Sequence, residues 1–474
     1  YNLYAKIDTE GPRYIGFEKY WGGHVYLNAE EIQFIVDELF IGNKLAAGMI
    51  KNVDGTIVDL RNIRSPIVVF CSRGDNITPP QQALGWILDV YDDVEDIIKH
   101  GQTIVYTIHE SVGHLGIFVS SGVARKQHGE FSSNIDFIDT LPPGLYEAVF
   151  EARTADSIGA DLISGDWVMQ CERRTLNDIR ALGDNDSADE RRFATAACVS
   201  EINLALYRTF AAPLVRAMMS APVAEWMRRI HPLRLQYEII SDANPFMAIV
   251  KNVADNVRKA RKPVANDNPY LALQGILSEQ IIAGLNTWRH MAETLAERTF
   301  LTFYGSPLLQ AAVGIDPADK RPHRKAGRPP LHRELLHNRI AELKNRIATG
   351  GLRECLVRGM IYVAAARGSV DERTFAAIRR LRGVQDESSR LTLADFKALV
   401  REQYFMLMID EDATLAAIPD LLPSDHQVRR RAFVTLRQIL SASGAVTGDA
   451  AERLRRIARL FGVEVGSAVA SDAA

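Results

Sequence analysis

Ser65-Pro-Ile-Val-Val-Phe-Cys-Ser72-Arg-Gly-Asp75-Asn-Ile-Thr-Pro79-Pro80 is the stretch that decides the fold. Residues 65–72 form a short, continuous apolar run rich in β-branched side chains. Such a run reads as a strand buried on both faces, as in a parallel sheet. Pro79-Pro80 then opens a helical pattern through Ala83, Leu84, Ile87, Leu88 and Tyr91, and proline suits a first helical turn. Thr103-Ile-Val-Tyr-Thr-Ile108 is the next strand. Strand, helix and strand within about 45 residues make a βαβ unit with a right-handed crossover.

Outward from this unit the chain divides by pattern. Residues 1–150 mix strands and helices. Residues 151–318 carry little strand signal and read as a helical middle region, with Leu271, Ile276, Ile281, Leu285 and Trp288 at helical spacing. Pro213, Pro222, Pro232 and Pro263 punctuate it. Residues 319–349 read as a basic linker and a helix start, and 350–465 as a C-terminal helical domain. There, Leu352, Leu356, Met360 and Val363 form one stripe, and Phe396, Leu399 and Val400 belong to another helix. The expected fold class is α/β followed by all-α.

Composition limits what such a chain does. Its 474 residues are 47% hydrophobic and 24% charged, ordinary for a globular protein with ample core. Lys plus Arg is 56 against 59 Asp plus Glu, a net charge of -3. That balance excludes whole-surface attraction to nucleic acid. Cys71, Cys171, Cys198 and Cys355 form no CxxC pair, so a reducing compartment is expected, and no structural zinc. No apolar run approaches the length of a membrane span. A cytoplasmic location is expected.

The chemistry lies in two loops. Asp75 follows the first strand, and Gly113-His114 follows the second. In an open parallel sheet, ligands meet the loops at the carboxyl ends of strands. A carboxylate there can accept the Nδ1 proton of an imidazole, fix its tautomer and stabilise the imidazolium formed when His takes a proton from a nucleophile. Acid before histidine is the order of an α/β-hydrolase triad. The catalytic candidates are therefore His114 and Asp75. The plainer alternative is a turn aspartate and a loop histidine with no joint role.

Ile63 to Pro79, with Gly74-Asp75, is similar to the acid-bearing strand of polyhydroxyalkanoate synthases, and Gly113-His114 to their catalytic-histidine loop. Tyr20-Trp-Gly-Gly-His24, Asn28-Ala-Glu-Glu31, Asp59-Leu-Arg-Asn-Ile63 and Leu141-Pro-Pro-Gly-Leu145 resemble a bacterial family labelled 3-hydroxyalkanoate synthetase-like. The resemblance implies that residues 1–150 are the C-terminal part of an α/β-hydrolase core. It implies an acyltransferase or ester hydrolase acting on a 3-hydroxyacyl thioester or ester. His114 would be general base and Asp75 its orienting carboxylate. The implied partners are a small acyl substrate, such as a 3-hydroxyacyl-CoA, or a polyester, with a granule surface or a second copy as further partners. No cofactor or metal is implied. The fold also needs a nucleophile elbow, Gly-x-Ser-x-Gly or its cysteine equivalent, and the sequence contains none upstream of Asp75 or elsewhere. The elbow is expected before Tyr1, which makes the chain a fragment that is inactive alone. The alternative is a non-catalytic scaffold or granule-associated binding protein that keeps the fold.

Other signals carry less. His109-Glu-Ser-Val-Gly-His114 has one residue more than the zinc-protease motif, and on a helix i and i+5 differ by about 140°. Asp184-Asn-Asp-Ser-Ala-Asp-Glu190 lacks the glycine and final glutamate of a calcium loop. Arg324-Lys-Ala-Gly-Arg-Pro-Pro330 resembles an AT-hook, but the window 320–346, with nine Lys or Arg against two Glu, has no aromatic for stacking. A basic linker is the better reading, and nucleic acid is not an expected partner. Residues 350–465 resemble a tellurite-resistance B-like domain through Tyr362-Val-Ala-Ala-Ala-Arg-Gly-Ser-Val-Asp-Glu372. Arg367 stands where that group often carries aspartate, and Asp410-Glu-Asp412 reads as a solvated acidic turn.

Overall fold

The computed structural model describes residues 1–21, 27–114, 116, 122, 126, 128–154, 156–163, 165–183, 186–318, 330–383 and 391–463. The chain forms two compact units. One joins Tyr1–Asn43 to Ser187–His323, and the other joins Lys44–Asp186 to Arg324–Ala474. An α/β part and helical parts are both present. The AT-hook-like stretch lies almost wholly outside the described residues, as do Gly22-Gly-His24 and Asp184-Asn185.

The second unit carries a sheet with strand order β1-β2-β3-β4-β5. β1 is Ile67–Ser72 and β2 is Thr103–His109, the two strands expected from the apolar runs. They are parallel, and Ser72 is level with His109. β3, Gly144–Ala152, continues the parallel set. Alternation along β2 divides its side chains between two cores. Ile104 and Tyr106 pack with Leu84, Ile87, Tyr91 and Ile97 of the crossover segment. Val105 packs with Phe137, Ile138 and Met169 on the opposite face. Both faces of β2 are covered, as a parallel strand requires.

β4, Trp167–Arg173, runs antiparallel to β3, and β5, Ser369–Asp371, antiparallel to β4. Both depart from the expected pattern: β4 falls in the stretch read as helical, and β5 falls inside the segment drawn as a separate helical domain. Three residues are too few to show a period of two. β5 forms because Gly368, at φ +69, turns the chain back after the helix Leu352–Ala365. Arg173 N–H then donates to Gly368 O at 2.8 Å. Lys397 pairs with Asp139, and Arg401 donates to Gly101 O. The helical C-terminal segment thus belongs to the unit that carries the sheet, and the boundary drawn at residue 350 is not a boundary between compact units.

That helical part has its own core of Tyr362, Val363, Phe396, Phe433, Leu436 and Phe461, among others. At its centre lies Arg358, 0% exposed. Its guanidinium donates to Gln403 Oε1 at 2.8 Å, Thr414 O at 2.7 Å and Ile347 O at 3.2 Å. Ile347 follows the helix Pro330–Arg346, and Thr414 lies in Glu411–Ala416. One side chain therefore satisfies carbonyls at the ends of two helices while bonding a third, Leu393–Ile409, through Gln403.

The described residues of the first unit form helices joined by turns and loops, with no strand among them. Pro213, Pro222 and Pro232 each sit in a first helical turn. Its longest helix is Pro269–Tyr304, 36 residues, capped by the Asn268 side chain. Tyr1 hydroxyl donates to Ser278 Oγ at 2.7 Å and Tyr237 hydroxyl to Glu18 at 2.7 Å, which tie the N-terminal helices to the rest.

Candidate active site

The parallel register brings the ends of β1 and β2 side by side, so the loops that follow them meet. Arg73 N–H donates to His109 O at 2.8 Å, extending the pairing one residue beyond the strands. Gly74 then allows the loops to touch. A Cβ there would fall 2.5 Å from the Ser111 carbonyl carbon and 2.8 Å from Val112 O. On the other side, His109 Nδ1 accepts the N–H groups of Ser111 at 3.2 Å and Val112 at 3.1 Å. This folds the second loop back toward the first.

Asp75 and His114 meet in the cleft so formed. His114 Nδ1 lies 2.9 Å from Asp75 Oδ2. The Asp75 carboxylate is almost fully occupied. Oδ1 accepts the backbone N–H groups of Ile77 at 2.8 Å and Thr78 at 3.0 Å, and Oδ2 also accepts the Thr78 hydroxyl at 2.9 Å. Burial works against ionisation of Asp75. The N–H groups of Thr78 and Ile77, the His114 ring and the Thr78 hydroxyl outweigh it and hold the pKa at about 2. A fixed carboxylate on Nδ1 holds the imidazole in the tautomer that carries its proton there, and leaves Nε2 basic. Among the described residues Nε2 has no hydrogen-bond partner.

The two residues singled out by sequence are therefore brought together. Thr78 was not singled out, although Asp-x-x-Thr is the spacing of a side chain that caps its own turn. His109 and His114 are not arranged around a common metal, since one caps its own loop and the other faces Asp75. Among the described residues no group of three or more His, Cys, Asp or Glu is placed to hold a metal ion. Cys71 is 4% exposed on β1, and burial pushes its thiol up to about 12, with the charges of Glu147 and Asp75 adding and Arg73 opposing. It is a core side chain. Arg367 donates to Ser443 Oγ at 2.9 Å, and Asp410 caps the helix Glu411–Ala416.

A second perturbed carboxyl lies at the end of β5. Glu372 is 3% exposed, and burial pushes it up to about 7, with the negative charges of Glu130 and Asp371 adding and the Met169 N–H and Asn134 opposing. Among the described residues its Oε2 has no hydrogen-bond partner. Nothing in the sequence pattern marks this pair, because Glu130 and Glu372 come from distant segments.

The profile of a family described as "Protein of unknown function (DUF3141)" matches residues 1–347. The chain belongs to this family. A Rhizobium meliloti relative, "Uncharacterized protein in ackA 5'region", is 61% identical over 463 residues, covering 98% of this chain and 63% of the relative. The DUF3141 chain thus spans a little under two thirds of the length of that curated relative. No solved structure matches it. No helix among its described residues is long and apolar enough to cross a membrane.

Proposed function

We propose that this DUF3141 chain carries the acid–base half of an acyltransferase or ester hydrolase of the polyhydroxyalkanoate synthase-like α/β-hydrolase type. The observation that carries the reading is the 2.9 Å contact between Asp75 Oδ2 and His114 Nδ1 at the carboxyl ends of neighbouring parallel strands. The acyl group would be that of a 3-hydroxyacyl thioester or ester, as the resemblance in sequence implies. His114 Nε2 takes the proton of a serine hydroxyl or cysteine thiol as that group attacks the acyl carbonyl. Asp75, ionised throughout, stabilises the imidazolium. The same proton then passes to the leaving group as the carbon–sulfur or carbon–oxygen bond breaks.

The nucleophile comes from a part of the protein that is not in this chain, and the relative's greater length supports that reading. A non-catalytic scaffold or granule-associated binding protein is the second reading. It is favoured by the lack of any described hydroxyl or thiol on His114 Nε2.

The test is thiol release from a 3-hydroxyacyl-CoA by the longer protein and by this chain alone. The longer protein turns over, and His114→Ala lowers the rate about 100- to 10,000-fold. This chain alone shows none. Steady hydrolysis of a short p-nitrophenyl ester by this chain, abolished by His114→Ala, overturns the missing-nucleophile reading. No turnover by the longer protein favours the scaffold.

A further inference from the structure

In the first unit, the helix Pro245–Ala260 has its apolar side chains on one face and none of them is buried. Phe246, Ile249, Val250, Val253 and Val257 recur at i, i+3, i+4, i+7 and i+11, one stripe of an α-helix. They are 77%, 65%, 51%, 54% and 54% exposed. The helix does not depend on that face for its existence. Pro245 stands in its first turn, and the Asn244 side chain accepts Phe246 N–H at 3.1 Å, so proline and cap specify it locally. The two preceding helices, Ala221–Ile230 and Pro232–Ile239, also bury no residue. Trp226 is 61% and Leu233 79% exposed.

Charge separates the candidates for what covers this face. Residues 245–262 contain Lys251, Arg258, Lys259, Arg261 and Lys262 against Asp255 alone, so five positive charges less one negative leave +4. Arg258 pairs with Asp255 at 2.8 Å, Lys251 with Asp242 at 3.5 Å and Arg261 with Asp8 at 2.6 Å. Lys259 and Lys262 have no acidic partner among the described residues. An apolar stripe on a helix whose other face and C-terminal end carry unpaired ammonium groups matches a surface with hydrocarbon below and negative charge above. Sixteen residues rise about 24 Å, and the charges forbid crossing a bilayer, so the helix would lie flat at the interface.

We propose that the Pro245–Ala260 helix seats this chain on an anionic phospholipid surface. The apolar stripe enters the boundary between headgroups and acyl chains, and Lys259 and Lys262 meet the lipid phosphates. The proposal stands apart from the acyl-transfer reading, because it uses neither Asp75 nor His114.

The whole chain is sedimented with phosphatidylcholine vesicles, with and without phosphatidylglycerol. It binds only the vesicles containing phosphatidylglycerol, and added salt weakens binding. Lys259→Gln and Lys262→Gln each lower the partition coefficient about fivefold. Phe246→Glu combined with Val253→Glu abolishes binding while the circular dichroism stays unchanged, since both positions are exposed. Failure to bind anionic vesicles overturns the proposal, as does equal binding to neutral ones. Self-association in the ultracentrifuge that the double variant abolishes would assign the face to a second copy. Binding by this chain but not by the full-length Rhizobium meliloti relative would assign it to packing within a longer protein.

Discussion

Asp75 gains its role from its neighbours. Its two oxygens accept the Ile77 and Thr78 N–H groups, the Thr78 hydroxyl and the His114 ring, so it remains a carboxylate at any pH near neutrality. Gly74 determines whether that arrangement forms. Gly74→Ala would push a methyl group into the backbone at Ser111. It should separate the loops, cost about 1–3 kcal/mol and remove the downfield Nδ1 proton resonance of His114 in NMR. An unchanged resonance would show that the loops tolerate the methyl group. Glu372 behaves in the opposite way. Its folded pKa of about 7 lies above the usual carboxyl value of 4.5, so the folded state disfavours the charged form. Stability from this group is complete below pH 4.5 and is lost as pH rises through 7. Glu372→Gln, which mimics the protonated acid, should leave the unfolding free energy unchanged at pH 4 and raise it at pH 8 by on the order of 2 kcal/mol. Equal effects at both pH values would refute the assignment. Asp75 and His114 were legible in the sequence because each follows a strand that its own composition reveals. Thr78 was legible only as part of a turn. The Glu130–Glu372 pair was not legible, since it depends on tertiary packing of distant segments.

At the scale of elements, β1 and β2 announced themselves because both faces of a parallel strand are apolar. β4 did not, because Trp167-Val-Met-Gln-Cys-Glu-Arg173 mixes polar and apolar residues without strict alternation. Its place is set by register against β3, a contact between segments. The C-terminal helices were legible from their stripes, but the group that joins them was not. Arg358 looks in sequence like any helix-surface arginine, yet it is fully buried and bonds to carbonyls that end two other helices. Arg358→Met should leave Thr414 O and Ile347 O without those donors. It should lower unfolding free energy by about 3 kcal/mol in urea. A loss below about 1 kcal/mol would mean that water replaces the guanidinium without difficulty.

At the scale of the molecule, the sequence suggested a series of segments, and the chain instead interleaves two units. Residues 1–43 leave the sheet-bearing unit and join the helical one, and residues beyond 324 return to the sheet. Periodicity cannot reveal such returns, because each segment obeys its own local pattern. Limited trypsin digestion separates the two pictures. The basic stretch from Lys320 to Arg333 should be cut first, because its sequence is rich in proline and in the Lys and Arg that trypsin cleaves. The C-terminal piece should nevertheless stay with the sheet in gel filtration, held by β5, the Lys397–Asp139 pair and the Arg401–Gly101 bond. The pieces should part only in denaturant. Separation in native buffer would mean that the C-terminal segment does fold and stand alone.

The pairing of β4 with β5 also imposes an order in time. Gln170 Nε2 donates to Ser369 Oγ at 2.8 Å across 199 residues of chain. At a synthesis rate of about 5–20 residues per second, the second strand leaves the ribosome roughly 10–40 s after the first. For that interval β4 is an open edge, with unpaired backbone groups on a nascent chain. The middle region, with its exposed apolar helices, emerges during the same interval. The most vulnerable interval for this chain therefore runs from the emergence of β4 to that of β5, when a holdase chaperone on the ribosome would have two targets at once.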